Sequence, residues 1–100
     1  MKKILLVCNA GMSTSILVQK MKKVAEQKSI EVTIEAIPST DLSQFWQSSD
    51  VILIGPQIGF MKDSIKETVE NKIPVEVINM VDYGRMNADK VLALAIDLIK

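Results

Sequence analysis

Two four-residue stretches without a polar side chain, Ile4-Leu5-Leu6-Val7 and Val51-Ile52-Leu53-Ile54, constrain the fold of this chain more than anything else in it. A strand open to water on one face alternates apolar and polar residues, so unbroken runs of this length mark strands covered on both faces. Such cover requires helices between the strands, and the sequence supplies them. After the first run, Leu17, Val18, Met21, Val24 and Ala25 recur at helical spacing, with Gln19, Lys20, Lys22 and Lys23 on the opposite side. After the second run, closed by Gly55-Pro56, Ile58, Met61, Ile65 and Val69 mark another helix, and Val91, Leu92, Ala95 and Ile99 mark a third. Ile30-Glu31-Val32-Thr33-Ile34-Glu35-Ala36-Ile37 alternates strictly and stops at Pro38, as a half-exposed edge strand does. Leu42, Phe45 and Trp46 suit one helical turn, and Val75-Glu76-Val77-Ile78 reads as a last strand, inner or edge. The order β-α-β-turn-β-α-β-α predicts one α/β domain over residues 1–100, with right-handed crossovers and a parallel sheet.

In such sheets ligands bind at the carboxyl ends of the strands. Cys8, the segment Gly55-Pro56-Gln57 and the loop from Asn79 to Tyr83 all fall at such ends. Cys8 is the only cysteine, and Asn9-Ala10-Gly11-Met12-Ser13-Thr14-Ser15 follows it into the first helix. The first N–H groups of a helix have no intrahelical partner, and the helix dipole adds positive potential there. Gly11 allows close backbone approach, and three hydroxyls add donors. The segment suits an anion, phosphate first of all. The same donors stabilise a thiolate, since a helix N-terminus contributes up to about 2 kcal/mol and each charge-assisted bond about 1.5–3 kcal/mol. No cationic side chain is needed. A buried structural thiol and a plain helix cap use the same residues and remain open at this stage.

Composition removes several classes. With one cysteine and no histidine, neither a zinc site nor a Ser-His or Cys-His catalytic pair is available. Twelve basic residues balance twelve acidic ones, so there is no overall positive field to attract nucleic acid. The apolar run before Cys8 is too short for a signal peptide, Val7 is not a small residue, and no segment reaches the length of a membrane span. A cytoplasmic protein is expected.

The segment Cys8-Asn9-Ala10-Gly11-Met12-Ser13-Thr14-Ser15, with Leu53-Ile54-Gly55-Pro56-Gln57-Ile58 and the stretch from Val75 through Tyr83-Gly84, resembles the IIB components of sugar phosphotransferase systems, of the lactose/cellobiose type. The resemblance spans essentially the whole chain. It implies a four-stranded parallel sheet in the order 2-1-3-4, flanked by helices and similar to low-molecular-weight tyrosine phosphatases. It implies that Cys8 accepts a phosphoryl group from a phosphohistidine on a IIA partner. Cys8 would then pass that group to a sugar of the cellobiose, lactose or chitobiose class, held by the membrane-embedded IIC partner. Asn9, Ala10, Gly11, Met12, Ser13, Thr14 and Ser15 become the phosphate cradle, with Gln57 and Tyr83 as border residues. No metal or organic cofactor is implied, nor any nucleic-acid partner. Attachment to the membrane is peripheral, through IIC.

The alternative is a phosphatase-like hydrolase. That chemistry needs C-x5-R, with Arg forking onto the phosphate. Counted from Cys8, the arginine position is Thr14, and the only arginine is Arg85. Asp82 is the one carboxylate in the last loop that offers a general acid. A flavin module, with Trp46 and Tyr83 as its only stacking residues, is thinly supported, and a thioredoxin-like role lacks the second cysteine. Met12, Met61 and Met80 suggest an adaptable docking face, although Met61 also fits the apolar side of its helix.

Overall fold

The computed structural model describes residues 2–8 and 11–99 of the chain. Four parallel strands, β1 (Lys2–Val7), β2 (Val32–Ile37), β3 (Val51–Ile54) and β4 (Val75–Val77), form one sheet in the order β2-β1-β3-β4. Both apolar runs are central strands. All of β3 is buried, as are the last four residues of β1. β2 and β4 are the edges, and β2 carries exposed Glu35 and Ala36.

Strand alternation splits the core in two. Ile4, Leu6, Ile34, Val51 and Leu53 face helices α1 (Gly11–Gln27) and α5 (Ala88–Ile99). From α1 come Leu17, Val18, Met21 and Ala25, and from α5 come Val91, Leu92 and Ala95. Leu5, Val7, Ile52, Ile54 and Val75 face the other way, onto α2 (Leu42–Phe45) and α3 (Lys62–Thr68) with the turns around them. Among the described residues, no helix is long and apolar enough to cross a membrane.

Four local departures from the sequence reading have identifiable causes. Helix α1 begins at Gly11, not at the first residue of the apolar repeat, so part of the expected loop is already helical. The start of the second helical repeat is not α-helix. Residues Pro56–Met61 form 3-10 turns with a kink at Ile58 (φ −120°, ψ 28°), and α3 starts only at Lys62. Gly59 lies so close to β4 that a Cβ there would approach Val77 Cγ1 to 3.3 Å. Phe45 points outward, 41% exposed, whereas Leu42 and Trp46 enter the second core. Finally, the loop after β4 contains a short helix, α4 (Met80–Gly84).

Candidate functional site at the carboxyl end of β1

Ile4 and Leu6 point to the α1 side of the sheet, and the alternation carries Cys8 to that side as well. Cys8 lies just beyond β1 but is held as firmly as a strand residue. Its N–H donates to Ile37 O of β2 at 3.1 Å, and Gly55 N–H donates to Val7 O at 2.9 Å. Cys8 is 7% exposed. A Cβ added at Gly55 would stand 3.1 Å from Cys8 Cβ and 3.1 Å from Gln57 Oε1. Glycine at 55 therefore leaves the space in which Cys8 sits, beyond the turn role suggested by Gly-Pro.

Thr14 lies in the first turn of α1 and is 1% exposed. Its Oγ1 is 2.6 Å from Cys8 Sγ and 2.9 Å from the Tyr83 hydroxyl. Tyr83 is 7% exposed and belongs to the first core. Helix α4 puts it there. Asn79 caps that helix, its Oδ1 accepting from Val81 N–H at 2.8 Å and Asp82 N–H at 3.2 Å. Asn79 O also accepts from Tyr83 N–H at 2.9 Å. At the other end Met86 takes a left-handed conformation (φ 52°), with Met86 N–H donating to Tyr83 O and Asn87 N–H to Asp82 O. That pair of bonds is the Schellman closure, here with methionine in the place usually held by glycine.

The expected site residues are thus placed as follows. Cys8, Thr14 and Tyr83 come together in one hydrogen-bonded chain. Gln57 and Tyr83 line a common cleft of about 210 Å3 with Pro56, Met80 and Gly84. Ser15 lies on the exposed side of the first turn of α1. Asn9 and Ala10 lie outside the described residues; Gly11, Met12 and Ser13 open α1, and their side chains lie outside them too. Of the methionines suggested as a docking face, Met80 is 73% exposed at the cleft, whereas Met61 packs against the second core. The sequence reading missed Phe60 and Val81, both large and exposed, because single apolar residues in turns carry no periodic signal.

The arrangement offers a buried sulfur beside a helix N-terminus, with a hydroxyl in hydrogen-bond contact with it. Such a sulfur suits a nucleophile whose partner brings the electrophile, because the groups on the sulfur stabilise charge without supplying an acid or base of their own.

Comparison with known proteins gives a consistent picture. The family described as "PTS system, Lactose/Cellobiose specific IIB subunit" matches residues 3–94. The oligo-beta-mannoside-specific EIIB component of Bacillus subtilis is 42% identical over 100 residues, covering 99% of this chain and 97% of that protein. The galactose-specific EIIB component of Lactococcus lactis subsp. cremoris is 42% identical over 104 residues, covering 98% of this chain and 96% of that one. The solution structure of a cellobiose-specific IIB component from Borrelia burgdorferi superposes with a TM-score of 0.82 at 52% identity, covering 98% of this chain and 91% of that one.

Proposed function

The chain belongs to the lactose/cellobiose-specific IIB family of the sugar phosphotransferase system, and from that membership and the geometry at Cys8 we propose that it carries a phosphoryl group on the Cys8 sulfur. Proteins of this kind act as phosphotransferases in sugar uptake and work with IIA and IIC partners. In the first transfer a Cys8 thiolate attacks the phosphorus of a IIA phosphohistidine. The S–P bond forms as the N–P bond breaks, and its electron pair stays on the imidazole. In the second, a sugar hydroxyl on IIC gives its proton to a base of the IIC partner and attacks the same phosphorus. The P–O bond forms, and the S–P pair returns to sulfur.

The N–H groups at the start of α1, with the segment from Asn9 through Ser15, hold the phosphoryl oxygens in both steps. Gln57 and Tyr83 border the entry. The protein's contribution is position and charge stabilisation, as is usual for phosphoryl transfer. The protein acts on the inner side of the membrane, docked to IIC. Its sugar is a β-glycoside of the cellobiose, lactose and chitobiose class. Equally similar relatives are named for oligo-beta-mannoside and for galactose, so overall identity does not select one member.

The observation that carries this reading is the Cys8 sulfur, buried against the first turn of α1 with the Thr14 hydroxyl upon it. Thr14 stands where a C-x5-R phosphatase would place its arginine. A hydroxyl there favours a carrier, which must keep its thiophosphate until an acceptor arrives, over a hydrolase that discharges it to water. Intact mass spectrometry tests the proposal, after incubation with phosphoenolpyruvate, the general phosphotransferase proteins and a panel of lactose/cellobiose-type IIA proteins. One phosphoryl group is expected on the wild type and none on Cys8→Ser, with unchanged circular dichroism. No phosphorylation by any IIA protein, or equal phosphorylation of Cys8→Ser, overturns it.

A further inference from the structure

Tyr83 does not reach the sulfur; it reaches the hydroxyl that does. The chain of contacts runs from Cys8 Sγ to Thr14 Oγ1 and on to the Tyr83 hydroxyl, the second bond joining residues 69 apart in sequence, with all three side chains buried. We propose that Tyr83 is a positioning residue for the Cys8 sulfur, acting through the Thr14 hydroxyl, and that the direction of this hydrogen-bond relay follows the charge on sulfur. The role in transfer rests on the reading of Cys8 as phosphoryl carrier.

Proton counting sets the direction. A hydroxyl has one proton to donate and two lone pairs. A thiolate only accepts. With Cys8 ionised, Thr14 must donate its proton to Sγ, and Tyr83 must then donate to Thr14 Oγ1. Each bond polarises the next, so the phenol strengthens a hydrogen bond in which it takes no part. With Cys8 phosphorylated, sulfur is the uncharged bridging atom of a thiophosphate monoester and a weak acceptor, and the Thr14 proton turns to a phosphoryl oxygen. When the S–P bond breaks, its electron pair arrives on sulfur, and the Thr14 proton returns to it. The relay therefore assists departure of the thiolate, the half of the cycle in which charge accumulates on sulfur. It also joins the first turn of α1 to α4, so that two segments on either side of the sulfur are held by one hydroxyl.

Four variants and two readouts decide the matter. The first readout is the rate of Cys8 alkylation by iodoacetamide at neutral pH, which needs no partner protein. Loss of a stabilising donor lowers the thiolate fraction, but it also makes each remaining thiolate more nucleophilic. A tenfold loss of thiolate therefore appears as a net fall in rate of about threefold. Thr14→Val should show a fall of about threefold to tenfold, Thr14→Ser should stay within about twofold of wild type, and Tyr83→Phe should fall about threefold. Tyr83→Phe added to Thr14→Val should change nothing further, because its path to sulfur is already cut. The second readout is back-transfer of phosphate from Cys8 to the IIA protein that charged it, and the same ranking is expected. Circular dichroism and urea midpoints confirm that each variant is folded.

Wild-type alkylation in Tyr83→Phe, or an independent loss in the double variant, overturns the relay; the second result would mean that Tyr83 acts directly. If the wild type accepts no phosphate from any IIA protein, the carrier reading fails on its own. The alkylation series still decides whether Tyr83 positions the sulfur.

Discussion

The two faces of the sheet are covered by different kinds of helix. One lies under α1 and α5, of 17 and 12 residues. The other lies under α2 and α3, of 4 and 7 residues, joined to 3-10 turns. The strands do not register the difference: Leu6 and Leu53 on the first face are as buried as Leu5 and Ile52 on the second. Exclusion of water from a sheet thus does not require long helices, since short turns carrying Leu42, Trp46, Ile58 and Ile65 achieve it. A helix N-terminus that holds an anion, as proposed for α1, does call for one. A helix must run several turns before its dipole and its orphan N–H groups form a stable anion site. Cys8, Thr14 and Tyr83 all belong to the long-helix face, and among the described residues the short-helix face contributes the cleft wall around Gln57.

Paired core truncations give the largest test of this asymmetry. Leu17 (0% exposed) on α1 and Ile65 (2%) on α3 are equally buried on opposite faces. Leu17→Ala and Ile65→Ala should each cost about 2–5 kcal/mol in urea unfolding, from lost burial and the cavity left behind. In the folded protein only Leu17→Ala, one turn from Thr14, should change the rate of Cys8 alkylation. Equal effects of both variants on that rate would show that the faces are mechanically one.

The same asymmetry decides what could be read from the sequence. β1 and β3 were legible because burial on both faces leaves unbroken apolar runs. α1 and α5 were legible because each spans enough turns to repeat its pattern. Residues 58–61 were misread as α-helix since Ile58, Met61 and Ile65 keep helical spacing through a kink that spacing does not detect. Helix α4 was missed because five residues cannot show a period. Its start was nonetheless signalled by Asn79 with Asp82 three residues on, while its stop was hidden by Met86 in a glycine position. The Cys8 segment could be singled out as a candidate site from local features alone. Its link to Tyr83 was not, because that contact depends on where the sheet order brings the segment after β4.

A smaller effect follows from that short helix. Asn79→Ala removes the acceptor of two α4 N–H groups and should cost about 1 kcal/mol, as cap deletions do. Fraying of α4 should loosen Tyr83 and move the alkylation rate part of the way toward that of Tyr83→Phe. A stability loss with no change at Cys8 would show that core packing, not the cap, holds Tyr83 on Thr14.

The smallest effect lies at the far edge of the sheet. Lys62, the first residue of α3, donates to Glu76 Oε1 of β4 at 2.9 Å, and Val77 N–H donates to the same oxygen at 3.0 Å. The Lys62 bond first, then the Val77 N–H, hold the Glu76 carboxyl below its ordinary range. A carboxyl lowered in the folded state contributes stability above its unfolded pKa, and that contribution is lost as pH falls through the folded value. Both side chains are substantially exposed (33% and 40%), so the pair is worth at most about 1 kcal/mol. Glu76→Gln should therefore be slightly less stable than wild type at pH 7, and the gap should close once the medium is acidic enough to protonate Glu76 in the folded protein. Urea midpoints of both proteins across that range measure it. Phosphoryl transfer at neutral pH should be unchanged in Glu76→Gln, because the pair ties α3 to the strand farthest from β2 and touches neither α1 nor α4. A loss of transfer there would extend the functional region beyond the face that carries Cys8.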